Sequence, residues 1–281
     1  MIEYLVFAAV FGLLLLGVHR KVIARIQTRP GPPVWQEILH ALKFSFKSTW
    51  VPKTASGTLY VAVVLIGIGI WSAALFVVLA GESILILFAI YMLHKVVEHG
   101  YGLSSGSPYG KFGGVRSVIS AASEIPLFVT IAAIHLFTGS LILRDITAYQ
   151  GIHGPLLLIA PPVAIAMYIV VLSKMPYGPF SIVESKELVS GYKTEHFGVW
   201  RAGLAVTDGL KTFVLLYAFV AIFIGAVPFW AALVIMTAVL ISLSFVCAIT
   251  PMLSPFDSVT IQGLITGLML VYVVCLWWVM P

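Results

Sequence analysis

The residues able to do chemistry in this sequence are ionisable side chains in or beside apolar stretches: Glu98, Glu124, His135, Glu184, Glu187, Glu195, Asp208 and Lys211. Charge in such surroundings is expensive, and its default use is the handling of ions or protons. In SAASEIPLFVTIAAIHLFTG, Glu124 stands two residues before Pro126. That proline lacks an N–H and leaves the carbonyl of Ala122 without a helical partner. A bend and local hydration beside a carboxyl group are expected there. His135 follows eleven residues later, about 16 Å along the same helical face, so the two could line one polar stripe; a histidine near a span end also suits the interface. Asp208 and Lys211 are three apart and can pair, either as a structural ion pair or as part of a relay. Among His94, Lys95, Glu98 and His99, the relay candidate is Glu98, since Lys95 reads as a side chain that snorkels to the interface.

The other carboxylates share one polar loop, KMPYGPFSIVESKELVSGYKTEHFG, Lys174 to Gly198. Pro179 stops any preceding helix, and Ser181 with Glu184 forms a Ser-x-x-Glu capping box. A short helix is expected to run to about Ser190, with Gly191 as its C-cap. Glu184 and Glu187 then share a face. No pairing of a nucleophile with a base supports independent catalysis. Cys247 and Cys275 have neither a second cysteine nor a histidine at ligand spacing, so no metal site or redox centre is expected within this chain.

The elements that must position these groups are membrane helices. The chain is 60% hydrophobic and 10% charged, with a mean hydropathy of +1.07, which excludes an ordinary soluble domain. Apolar runs of span length fall at roughly 2–18, 58–80, 83–99, 117–140, 155–172, 204–225, 228–249 and 258–279. The first lacks a basic leader and precedes further spans, so it reads as a retained helix rather than a signal peptide. The expected fold is all-α: one polytopic transmembrane domain, 1–281, of about eight helices plus a short amphipathic interfacial helix. The sequence shows no internal repeat, which weighs against an inverted-repeat transporter.

Lysine and arginine concentrate in the segments at about 19–57, 100–116 and 173–203, while Arg144 lies on the opposite side. By the positive-inside rule those segments are cytoplasmic loops and the N-terminus is outside, in a multi-pass protein of the cell membrane. The net charge of +5 is then a consequence of topology, and no nucleic-acid partner is implied. Within the first loop, Ile38, Leu39, Leu42 and Phe46 recur at helical spacing between Val34 and Phe46, opposite Glu37, Lys43 and Lys47. This is the interfacial helix.

Ahead of that helix, Arg20, Arg25 and Arg29 crowd the rigid turn Pro30-Gly31-Pro32-Pro33. The stretch RKVIARIQTRPGPP, followed by Gln36, Ala41, Leu42, Lys43 and Lys47, resembles the signature of the complex I subunit 1 family. PFSIVESKELVSGYKTEHFG is similar to a second polar loop of that family. It departs from it at Ser181, where aspartate is usual, and at His196-Phe197, where Tyr-Ser is usual. His40 likewise lies near a usual aspartate. The double proline with Gln36 close behind resembles the branch found in energy-converting nickel–iron hydrogenases. The resemblance implies a membrane-anchoring, ion-coupling subunit that links ferredoxin and hydrogen chemistry to translocation of H⁺ or Na⁺. The nickel–iron centre and iron–sulfur clusters would lie in partner large and small subunits, and other membrane partners would include antiporter-like subunits. Arg20, Arg25, Gln27, Arg29, Gly31 and Pro32 are then expected to dock the electron-transferring partner, and Glu124 falls where the family has a proton-pathway glutamate. The alternatives are the quinone-site subunit of a respiratory complex I and a free-standing ion transporter.

Overall fold

Long apolar segments with no aqueous partner for their backbone must fold as helices, and α-helices dominate the structure. This computed structural model describes residues 2–121, 124–184 and 191–279; Glu187 and the side chains of Glu124 and Glu184 lie outside what it describes. The helices are α1 (Ile2–Ile26), α2 (Gln36–Ser45), α3 (Gly57–Ala80), α4 (Ile84–Ser104), α5 (Pro108–Ser120) and α6 (Glu124–Thr138). They are followed by α7 (Leu143–His153), α8 (Leu156–Ile159), α9 (Pro161–Leu172), α10 (Val199–Phe223), α11 (Phe229–Ile249) and α12 (Pro255–Val279).

Among the described residues, seven stretches are long and apolar enough to cross a membrane: α1, α3, α4, α5 with α6 (Pro108–Thr138), α10, α11 and α12. The all-α polytopic architecture therefore holds, with two differences of detail. The run at 155–172 is divided, because α8 ends at Ala160 (φ −131°, ψ 63°) and Pro161 begins α9 afresh. Neither Pro161 nor Pro162 can donate to a preceding turn, so the break follows directly from sequence. The segment at 100–116 is also more helical than expected. α4 continues to Ser104 and α5 starts at Pro108, because glycines let the two pack closely: a Cβ on Gly102 would lie 2.7 Å from Gly114 Cα.

α10 is the hub, in contact with α1, α2, α3, α7, α8, α9 and α11. Its closest approach is to α1, where Gly12 and Gly209 face each other without side chains. A Cβ on Gly209 would come within 2.9 Å of Ala9 O, and one on Gly12 would overlap the Gly209 carbonyl.

Hydrogen bonds define two ends of the bundle. At one, Ser56 N–H donates to Ser104 O at 3.0 Å, Thr54 Oγ1 to Ser105 O at 3.1 Å, Val199 N–H to Thr49 Oγ1 at 3.1 Å and Leu253 N–H to Pro179 O at 2.8 Å. This end gathers α2 and the polar loop that follows α9. At the other, Ile84 N–H donates to Leu141 O at 2.8 Å and Arg144 N–H to Gly81 O at 3.1 Å. α2 packs on α1 and α10, and it leaves Leu39, Leu42 and Phe46 exposed. Those exposed side chains suit an interfacial helix with its apolar face in lipid.

The Gly12–Gly209 contact is expected to limit stability. Gly12→Ala should lower the thermal midpoint in detergent, since overpacking a tight contact costs about 1–3 kcal/mol. Gly263→Ala in α12, where a Cβ meets nothing within 4 Å, should leave the midpoint unchanged. Scanning fluorimetry of the two variants checks the difference.

Candidate functional site

Helical spacing places His94, Lys95 and Glu98 on neighbouring parts of one α4 face. α10 supplies Arg201, Asp208, Lys211 and Thr212, α1 supplies Arg20, and α2 supplies Glu37. The loop adds Lys174, Tyr177, Lys193 and Thr194. These side chains line one cavity of about 230 Å³ at the loop end of the bundle. Its apolar wall includes Leu13, Leu16, Met175 and Phe180.

Charge in this cavity is paired. Lys95 Nζ donates to Glu98 Oε2 at 2.6 Å and contacts Ser120 Oγ at 2.8 Å, while Tyr192 OH donates to Glu98 Oε1 at 3.1 Å. Asp208 is bridged from both sides, by Lys193 Nζ at 2.6 Å on Oδ2 and by Lys211 Nζ at 2.9 Å on Oδ1. Arg20 pairs with Glu37 and lies over the Tyr177 ring at 5.6 Å. Lys174 lies over the Tyr91 ring at 5.0 Å. Breaking one member of such a pair costs far more than the pair itself stabilises, because a buried charge is left behind.

The loop is pinned beside this cavity. Glu195 accepts from Ser107 Oγ at 2.8 Å through its side chain and from Tyr60 OH at 3.0 Å through its backbone carbonyl. Tyr60 OH in turn accepts from Phe197 N–H at 3.1 Å. His196 is buried, stacked on Tyr60 with ring centroids 4.4 Å apart, and its Nδ1 donates to Tyr192 O at 2.9 Å. Burial pushes His196 down from 6.5 to about 4, against the Tyr192 hydrogen bond and with help from the nearby Arg201 charge.

Several expected site residues meet in the cavity and others do not. Glu98, Asp208, Lys211 and Arg20 line it together. Glu195 is held by Ser107 and anchors the loop. His135 is exposed near the opposite end, its carbonyl accepting from Gly139 N–H at 2.8 Å, so it does not line the cavity. Pro126 is the third described residue of α6. The expected bend hinges on the carbonyl of Ala122, which lies outside the described residues. Ser181 also differs from its expected forward cap: its hydroxyl donates back to Met175 O at 2.9 Å and accepts from Gly178 N–H at 3.2 Å. Residues Ile182–Glu184 form a 3-10 turn, and Gly191 takes the positive φ (61°) expected of it.

Of the expected docking residues, Arg25, Gln27 and Arg29 are exposed, while Arg20 turns inward to Glu37. Gln27 Nε2 donates to Ala248 O at 3.2 Å, Arg29 bonds Gln27, and Gly31 has φ +68° in the turn that includes Pro32. Glu37, His94, Lys174, Lys193 and Arg201 line the cavity without having been expected there from sequence, and Tyr192, also unexpected, holds Glu98 from beside it. The His94–Glu98 spacing of four was a usable signal; the loop lysines had none, since only tertiary folding brings them to α10.

Away from the loop end the cavity gives way to apolar packing. Beyond His94 and Lys211 come Tyr91, Leu87, Leu215 and Ala218, around a small void of about 40 Å³ that Ile131 and Val170 also line.

Fold and site together define a multi-span membrane protein with a charged cavity closed toward one face. The family model for NADH dehydrogenase matches residues 1–280, and the chain belongs to that family, the family of complex I subunit 1. It is 49% identical over 273 residues to a Methanocaldococcus jannaschii protein carrying the provisional name NADH-ubiquinone oxidoreductase, covering 96% of this chain and 92% of that one. Subunit 8 of the Thermus thermophilus NADH-quinone oxidoreductase is 31% identical over 206 residues, covering 65% and 56% of the two chains. A solved structure of the membrane-bound sulfane sulfur reductase, an archaeal respiratory membrane complex, contains a chain of the same fold. Its TM-score is 0.85 at 24% identity, with 97% of each chain covered.

Two outcomes follow from the charge geometry. Asp208→Asn should lower stability by about 3 kcal/mol, because Lys193 and Lys211 lose their shared counter-charge. Asp145→Asn, at an exposed site, should cost under about 1 kcal/mol. Denaturation midpoints in one detergent compare them. For His196 the folded state favours the neutral ring, so its contribution is fully present above about pH 6.5 and is lost as pH falls toward about 4. His196→Phe should flatten the fall in thermal midpoint across that window.

Proposed function

We propose that this chain is the membrane-anchoring, ion-coupling subunit of an energy-converting oxidoreductase complex of the nickel–iron hydrogenase type. Soluble partners would carry the nickel–iron centre and iron–sulfur clusters, exchange electrons with ferredoxin and dock on the loop end, with other membrane subunits alongside. Translocation of H⁺ or Na⁺ would be the coupled step, and the loop end would face the cytoplasm. The observation that carries this reading is the charged cavity itself. It lies under the polar loop where a partner would dock, it is lined by paired carboxylates and amines, and apolar packing separates it from the far end of the bundle. A charge change at the docked partner would be felt by these groups through a low-dielectric wall. The same apolar packing argues against a free-standing transporter, which needs a path through the chain.

Docking would use Arg25, Gln27, Arg29, Gly31 and Pro32, with exposed guanidinium groups suited to partner carboxylates. Arg20 would instead hold α2 to α1 through Glu37. Glu124, Glu184 and Glu187 remain proposed relay carboxylates on the strength of the family resemblance. A second reading, a quinone-site subunit, draws support from relatives named NADH-quinone oxidoreductase subunits and from a cavity with one apolar wall.

Mild-detergent purification of the chain from its native membrane, followed by mass spectrometry, tests the proposal. The expected result is co-purification of a nickel-binding large subunit and an iron–sulfur subunit, lost in Arg25→Ala/Arg29→Ala while the chain still inserts. Purification with quinone-reducing partners and no hydrogenase subunit would replace this reading with the second.

A further inference from the structure

The Glu98 and Asp208 carboxylates are each held by two donors. Both oxygens of Glu98 are engaged, by Lys95 at 2.6 Å and Tyr192 at 3.1 Å. Both oxygens of Asp208 are engaged, by Lys193 at 2.6 Å and Lys211 at 2.9 Å. A proton arriving on either would neutralise a carboxylate and leave its lysine partner without a counter-charge. His94 is different. It is only 4% exposed, it lines the same cavity, and its Nδ1 has no hydrogen-bond partner among the described residues. Its ring is fixed edge-on to Trp71 of α3, with centroids 5.2 Å apart and planes at 69°. The imidazole can hold a proton on either nitrogen or on both, which no other cavity group can do without breaking a pair.

We propose that His94 is the group that changes charge in this cavity, while Glu98 and Asp208 act as fixed counter-charges. Its role in ion coupling rests on the function proposed above, but its titration does not. The charged groups facing it are Lys95 and Glu98 on its own helix and Asp208 and Lys211 on α10, with Lys174 and Lys193 of the loop elsewhere on the cavity wall and Tyr91 one turn away. Two ammonium groups and two carboxylates thus surround the ring, and the loop lysines add positive charge beyond them. A further proton is stabilised when negative charge enters nearby, as when a docked partner is reduced. Water at the loop side would then supply H⁺, an N–H bond would form at Nδ1, and removal of the added negative charge would break it. The electron stays in the partner throughout.

Removing one cation from the cavity imitates that added negative charge. Lys211→Gln does so while leaving Lys193 on Asp208. The full chain in lipid nanodiscs is followed by infrared difference spectroscopy between about pH 8 and pH 5, the range in which imidazole titrates. Lys211→Gln is expected to gain one imidazole protonation relative to wild type, and that gain should vanish in Lys211→Gln/His94→Gln. It should be lost as well in Lys211→Gln/Glu98→Gln, because removing the Glu98 carboxylate cancels the added negative charge, a comparison that stands even where the histidine variant folds poorly. A protonated-carboxyl band in place of the imidazole band, abolished by Glu98→Gln, overturns the assignment. In the assembled complex, His94→Gln pumping at the wild-type rate would defeat its coupling role alone. A complex that translocates no ion, with the imidazole protonation intact, would defeat the proposed function and leave the His94 assignment standing.

Discussion

Asp208 is where the rest of the site converges. It sits on α10, the helix that most others touch, and it binds a lysine from its own helix and one from the polar loop. Three charges in a mostly apolar bundle are tolerable only when they hold one another, since isolated ions pay several kcal/mol each for leaving water. That requirement fixes the loop over the cavity. Lys193 cannot reach Asp208 unless the segment from Gly191 to Gly198 folds back onto α3 and α5, and the Tyr60 and Ser107 contacts to Glu195 hold it there.

The helices can bring these groups together because glycines remove bulk where the bundle is tightest. Gly12 against Gly209 sets α1 on α10, which brings Arg20 near the cavity, and Gly102 against Gly114 sets α4 on α5, which brings Lys95 within reach of Ser120. Membrane helices gain little from hydrophobic association, so close backbone packing and polar contacts carry the specificity. The same logic explains the contrast along α4. Its loop-end turns carry His94, Lys95 and Glu98 into the cavity, while Leu87 and Tyr91 enter apolar packing.

Much of this was legible in the sequence. Hydropathy located seven of the eight expected spans and took 155–172 as a whole one although Pro161-Pro162 divides it, and the spacing of Asp208 and Lys211 announced an ion pair that exists. The motifs around Pro30 and in the polar loop pointed to the family. What was not legible depended on tertiary arrangement. Nothing in the local sequence distinguishes Lys193, which reaches Asp208, from the other lysines of the loop, or tells that Glu195 will anchor to Ser107. His135 and Glu98 look equally out of place in apolar runs, yet one ends near the far side of the bundle and the other in the cavity. Ser181 fits a capping box by pattern, but the turn at Met175–Gly178 claims its hydroxyl first.

The central claim is that the charged cavity communicates with one end of the bundle and is closed toward the other by apolar packing, so that ion movement needs partner subunits. Ion leak through the purified chain tests it most directly. The chain alone is reconstituted in sealed liposomes carrying a pH or sodium gradient, and decay of the gradient is compared with protein-free vesicles. Equal decay in both is expected. Faster decay that depends on the chain and is abolished by Asp208→Asn would contradict it, because the cavity would then open through the chain itself.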